Sequence, residues 1–274
     1  MTETTRYAAV VEYNGAYFHG WQQQKHHSEP SVQAALEAAL SIVANHPVKV
    51  FAAGRTDTGV HATHQVFHFD TTAKRSDYGW LMGCNTNLPT GVAIQWVGAV
   101  DNEFHARFKA QARCYRYLIN NAPAKQALLH DQLTWWRYPL DVSRMQAAAE
   151  VLLGEHDFTS FRAKDCQAKT PVKTIHRILV KRFGNIIMVE VEGSGFLYHM
   201  VRNIVGTLLP IGEGHMPVGW MKEVLEAKER SQAGITAPAT GLYFVGVYYP
   251  QEYAAIPSQP YGPSLLEPAL SLDL

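Results

Sequence analysis

The order in which two hydrophobic periods follow each other restricts this chain to few architectures. Tyr7, Ala9, Val11 and Tyr13 share one face of an alternating run, with Arg6 and Glu12 opposite, which predicts a strand. Asn14-Gly15 breaks it. Ser31 is placed to cap a helix in which Val32, Ala35, Leu36, Ala39, Leu40 and Val43 recur at helical spacing, and His46-Pro47 closes it. An apolar run over 48–53 and an alternating run over 65–70 read as two strands. A short helix over 77–84 and a strand over 92–100 follow. Strand, helix, strand, strand, helix, strand is the ferredoxin-like order.

The second half repeats that order in outline. Residues 112–120 read as a strand. Asp141 caps a helix carrying Met145, Ala148, Ala149 and Leu152, and two strands flank the tight-turn pair Gly184-Asn185. Helices are predicted over 198–209 and 216–228, and a last strand over 242–249. The expectation is an α/β (α+β) protein of two pseudo-duplicated ferredoxin-like halves. The halves would be 1–105 and 106–250, with 251–274 as an extended tail.

Residues 54–62, Gly-Arg-Thr-Asp-Thr-Gly-Val-His-Ala, join two of the strands. Glycines permit tight turns, and threonine hydroxyls can hold a carboxylate in place. Asp57 is therefore a candidate nucleophile or general base, and Arg55 a candidate phosphate contact or ion-pair partner. The competing reading is a turn closed by an Asx hydrogen bond.

Arg202 sits in a strongly apolar helix, where it must snorkel or find a partner; Asp57 is the natural candidate. Such a pair would keep the carboxylate ionised. Tyr115 and Tyr117 alternate with arginines in 113–117, a pattern that offers a stacking face or plain cross-strand packing. The 274 residues hold 24 basic and 24 acidic side chains, so net charge announces no polyanion. Local runs do: Arg107, Lys109, Arg113 and Arg116, then Arg162, Lys164, Lys169, Lys173, Arg177, Lys181 and Arg182, with only Asp165 among the latter. These are solvated faces or an RNA groove.

Three scattered cysteines suit a reduced, cytoplasmic protein, and no apolar stretch reaches the roughly 20 residues of a membrane span. His61, His64 and His68 lack the company of a metal motif. Asp57-Thr58-Gly59 matches the triplet of aspartic proteases, but a neighbouring arginine opposes the raised pKa which that chemistry needs. A non-catalytic RNA-binding or RNA-folding protein fits the same two basic runs.

Several motifs together resemble one family, the A-type tRNA pseudouridine synthases that act on the anticodon arm. They are Tyr13-Asn14-Gly15, Gly20-Trp21-Gln22, Ser31-Val32-Gln33, the whole of 54–62, Phe104-His105-Ala106-Arg107, 113–117, 157–161, 199–203 and Gly241-Leu242-Tyr243-Phe244. The resemblance implies isomerisation of uridine with Asp57 as catalytic residue and Arg202 as its partner. It implies Tyr115 as the aromatic stacked on the target base, Arg55 as the residue that helps displace that base, and Leu242 as part of the pocket wall. It further implies a continuous, mostly antiparallel sheet flanked by helices, and a homodimer bridged by one tRNA. Neither cofactor nor metal is expected.

Overall fold

The architecture comes from a computed structural model, which describes residues 4–23 and 29–258. Those residues form an α/β fold of ten strands, paired mostly antiparallel, and five α-helices. None of the helices is long and apolar enough to cross a membrane. The chain divides into two compact units, Met1–Gln111 with Tyr243–Leu274, and Ala112–Leu242. The sequence pattern predicts a single boundary near 105, with the last strand in the second half. Instead the closing segment returns to the first unit.

The first unit follows the expected order: β1 (Thr5–Tyr13), α1 (Val32–Ala44), β2 (Val50–Ala52), β3 (His61–Thr71), α2 (Asp77–Asn87) and β4 (Val92–Val100). Ser31 caps α1 as predicted, its Oγ accepting the Ala34 N–H at 3.2 Å. Asn45, in the left-handed region at φ 59°, ends the helix before His46-Pro47 is reached. β1 lies between β4 and β3, antiparallel to both. The other edge of β3 is shared. β2 pairs antiparallel at Phe67–Phe69, and the chain's tenth strand, β10 (Leu242–Tyr248), pairs parallel at His61 and Ala62. Leu36 and Leu40 of α1, Trp80 and Cys84 of α2, and Phe67 and Phe69 of β3 are buried. Trp80 meets the Phe69 ring edge-on at 5.2 Å.

The second unit holds β5 (Ala112–Asn121), β6 (Thr134–Trp136), α3 (Val142–Ala149), β7 (Gly154–Asp157), β8 (Val172–Phe183), β9 (Ile186–Gly193), α4 (Met200–Gly212) and α5 (Trp220–Ala227). Its strands run in the order β5-β9-β8-β7, with β6 parallel to β5. The sequence pattern predicts neither β6 nor β7. At three and four residues they are too short to display a period. α4 begins two residues later than predicted, because His199 takes a left-handed conformation at φ 60°. Asp141 caps α3 through the Arg144 N–H at 3.1 Å.

Composition predicts an extended tail after Pro250. Up to residue 258 it is instead packed. A 3-10 turn covers Gln251–Tyr253, Tyr253 and Ile256 are buried, and the Pro257 carbonyl accepts from His64 Nε2 at 2.7 Å. Three aromatic side chains, not the proline content, decide this stretch: Phe104 packs edge-to-face with Tyr249 and Tyr253 at 5.1 and 5.0 Å. The remainder of the predicted tail lies outside the described residues.

Candidate active site

Arg55 and Asp57 share the loop between β2 and β3 in the first unit. Arg55 is exposed and Asp57 half-buried, while Thr56 between them is buried. The loop is built against the end of β1. Tyr13 OH and Thr56 Oγ1 lie 2.7 Å apart, and the Trp21 N–H donates to the Thr56 carbonyl at 3.0 Å. Gln65 reads both polar groups of one residue's backbone: its Nε2 donates to Gly54 O at 2.6 Å, and its Oε1 accepts the Gly54 N–H at 3.3 Å. Val60 N–H closes back on Asp57 O at 3.1 Å. The register of β1 against β3 shifts between Val11 and Tyr13, the kind of irregularity that re-aims a side chain.

Two glycines make this closeness possible. A Cβ on Gly15 would stand 2.1 Å from Val60 O, and one on Gly20 would stand 2.7 Å from Thr56 O. Gly15 also donates its N–H to His61 Nδ1 at 3.0 Å. The neutral His61 ring thus carries its proton on Nε2. It stacks on Tyr243 at 4.7 Å.

Burial pushes the Tyr13 phenol well above its ordinary pKa. Its hydrogen bonds to Thr56 and Gln65 work the other way, and the charge of Asp57 adds to the rise. Tyr13 is a neutral phenol at any physiological pH. Burial likewise lowers His64, and it lowers His68 to about 4 with help from His105 and Arg6. His68 Nδ1 accepts the Ala106 N–H at 3.2 Å. His64 and His68 are both buried on β3. Among the described residues no group of three or more His, Cys, Asp or Glu could hold a metal ion.

Tyr115, Arg202 and Leu242 belong to the second unit. Tyr115 is half-buried on β5 and meets Phe196 edge-on at 5.0 Å. Tyr117, two residues along the same face, is fully buried. Its hydroxyl donates to Pro238 O at 2.7 Å and lies 2.7 Å from Thr134 Oγ1. Burial raises its pKa, against the opposing effects of Thr134 and the nearby Arg202 charge. Arg202 occupies the first turn of α4 and donates Nε–H to Ala237 O at 2.7 Å. Leu242 is buried at the start of β10. Before it, Gly241 approaches β5 so closely that a Cβ would sit 2.6 Å from Leu118 O.

The family model for tRNA pseudouridine synthases matches residues 9–109 and 148–250. The chain belongs to the tRNA pseudouridine synthase family. Relatives described as tRNA pseudouridine synthase A are similar over nearly their full length. The Pseudomonas aeruginosa protein is 50% identical over 262 residues, covering 96% of this chain and 91% of the relative. That of Cronobacter sakazakii is 51% identical over 259 residues, covering 94% and 95%. That of Coxiella burnetii is 49% identical over 261 residues, covering 95% and 99%. Within the matched segments lie Arg55, Asp57, Arg202 and Leu242; Tyr115 falls between them. The aspartic-protease reading of Asp57-Thr58-Gly59 gives way to this family and to its α/β fold.

In this pseudouridine synthase the basic runs are less open than the sequence suggests. Glu190, almost fully buried on β9, takes Arg116 Nε at 2.5 Å and also bonds Arg177. Arg162 donates to the Cys166 and Ala168 carbonyls, and Arg182 to Leu140 O and Asn121 Oδ1. Four of the arginines counted toward an RNA groove thus serve the unit's own structure. Sequence reasoning also passes over Tyr13, Thr56 and Gln65 as a frame. The available signal is a glutamine on a strand whose following residues, Val66, Phe67 and Phe69, are fully buried.

Proposed function

We propose that this chain converts uridine to pseudouridine in the anticodon stem-loop of tRNA, with Asp57 as the nucleophile. Membership in the tRNA pseudouridine synthase family carries this reading. The loop of residues 54–60, framed by Tyr13, Trp21 and Gln65, supports it from the side of geometry. A half-buried carboxylate on a rigid loop can be held at one reacting atom with little reorganisation.

The reaction breaks the bond from ribose C1′ to uracil N1, turns the base, and joins C1′ to C5. The hydrogen on C5 leaves as a proton and N1 gains one, so no oxidant or donor enters the balance. A base inside a helix is out of reach, and flipping it costs a few kcal/mol. In this reading Arg55 helps displace the base, Tyr115 stacks on it, and Leu242 walls the pocket. Arg202 is the cation that keeps Asp57 ionised. Phosphate contacts by the remaining lysines offset the cost of flipping. The enzyme acts in the cytoplasm as a homodimer that one tRNA bridges, without cofactor or metal. Its free cysteines, Cys84, Cys114 and Cys166, suit a reducing compartment.

The test is incubation with tRNA labelled with tritium at uridine C5. The wild-type chain should release tritium to water, and Asp57→Asn should bind tRNA equally and release none. Binding without release by the wild-type chain would leave the non-catalytic RNA-binding reading.

A further inference from the structure

Arg202 is held at both ends by one residue of a neighbouring segment. Its Nε–H donates to Ala237 O at 2.7 Å, and the Ala237 N–H donates to Arg202 O at 3.2 Å. A guanidinium bonded through Nε has its plane and direction set by that carbonyl. Ala237 lies in the segment that leads from α5 to β10, and this segment runs along α4 with backbone against backbone. A Cβ on Gly206 of α4 would lie 1.7 Å from Ile235 O, and one on Gly234 would lie 2.2 Å from Gly206 O. The Gly234 N–H donates to Thr207 Oγ1 at 3.0 Å.

One side chain ties the segment down. Arg230 donates Nη1–H to Gly234 O at 2.9 Å, and Nη2–H to Asn203 Oδ1 and Thr236 Oγ1, both at 3.0 Å. Thr236 Oγ1 donates in turn to Asn203 Oδ1 at 2.7 Å. Asn203 is fully buried next to Arg202, and its amide donates to Phe161 O at 2.8 Å, which fixes its oxygen toward Arg230 and Thr236. All three acceptors of Arg230 are neutral oxygens, spread so that a planar fork of donors spans them and a lysine cannot.

We propose that Arg230 is a positioning residue for the reaction: it locks residues 234–237 onto α4 and so fixes the Ala237 carbonyl that aims Arg202. This rests on the place of Arg202 in the reaction given above. Arg230 touches neither the substrate nor the reacting atoms and acts through Arg202 alone.

The experiment is a mutant cycle read by single-turnover tritium release, tRNA affinity and thermal midpoint. Arg230→Met and Thr236→Val should each lower the rate at saturating tRNA by about tenfold or more with affinity within about twofold, and Arg230→Lys should recover little. In an Arg202→Met background neither change should lower the residual rate further. Losses that multiply in that background, or folded single variants with full turnover, overturn the proposal while leaving Arg202 its role. Full turnover by Arg202→Met itself overturns the role of Arg202, and the proposal with it. If Arg230→Met does not fold, Thr236→Val decides by the same cycle.

Discussion

Tyr13 OH and Thr56 Oγ1 sit 2.7 Å apart, with both residues buried. The last residue of β1 is thereby bonded to the residue before Asp57. Tyr13→Phe deletes one partner and leaves the Thr56 hydroxyl buried without it. Such an orphan costs about 1–3 kcal/mol. The urea midpoint should fall accordingly. With Asp57 as the proposed nucleophile, tritium release should slow more than tRNA binding weakens, because the deleted bond holds the residue next to it. Equal losses in both would place Tyr13 in the binding surface.

Gly15→Ala tests how closely the loop is seated. The added methyl would meet Val60 O at 2.1 Å, and all three of its nearest atoms belong to backbone and not to a flexible side chain. The expected loss is at least about 3 kcal/mol, or failure to fold, at the upper end of single-substitution effects. Gly219→Ala is the control for an added methyl without a clash, since its Cβ meets nothing within 4 Å and its φ is −64°. It should leave stability unchanged or raise it by about 0.4–1 kcal/mol.

Acid should destabilise the first unit through its histidines. The folded-state value of His68 lies near 4, below its ordinary 6.5. Between those two pH values the unfolded chain takes up a proton that the folded chain refuses. The stability this residue confers is complete above about pH 6.5 and drains away as pH falls toward 4, by up to roughly 3 kcal/mol. His64 shifts in the same direction. Thermal midpoints of His68→Gln, taken from pH 7 to pH 4, should fall less steeply than those of the wild type.

Arg177 and the neighbouring lysines should separate cleanly. Arg177→Ala removes one of two cations from the buried Glu190 and should lower stability, with the salt dependence of tRNA binding little changed. Lys169→Ala with Lys173→Ala should do the reverse. Every lysine withdrawn from a phosphate should flatten the plot of log affinity against log salt by about one.

The strands and helices that the sequence displays are those with a full period on one face. β1, α1 and β4 in particular stand where alternation or helical spacing puts them. Ser31 and Asp141 announce two helix starts through their cap chemistry. What stays hidden depends on residues far apart in the chain. The run from Arg162 to Arg182 looks opposed by Asp165 alone because Glu190, the partner of Arg177, arrives from the adjacent strand. Asn203 and Arg230 look like ordinary polar residues because their partners are carbonyls and hydroxyls of a loop without periodicity. The Asp57 loop itself is legible as a motif. The side chains that frame it are not, since nothing local says that Tyr13 and Gln65 converge on it.

β10 closes the edge of β3 at His61 and Ala62, directly after the Asp57 loop, yet it is made some 180 residues later. On the ribosome, the first unit therefore emerges with an open strand edge beside the loop that carries Asp57. It must keep that edge exposed while the whole second unit is translated. The enzyme cannot mature from its N-terminus forward. The pairing of residues 243 and 244 with His61 and Ala62 waits until that segment has cleared the exit tunnel.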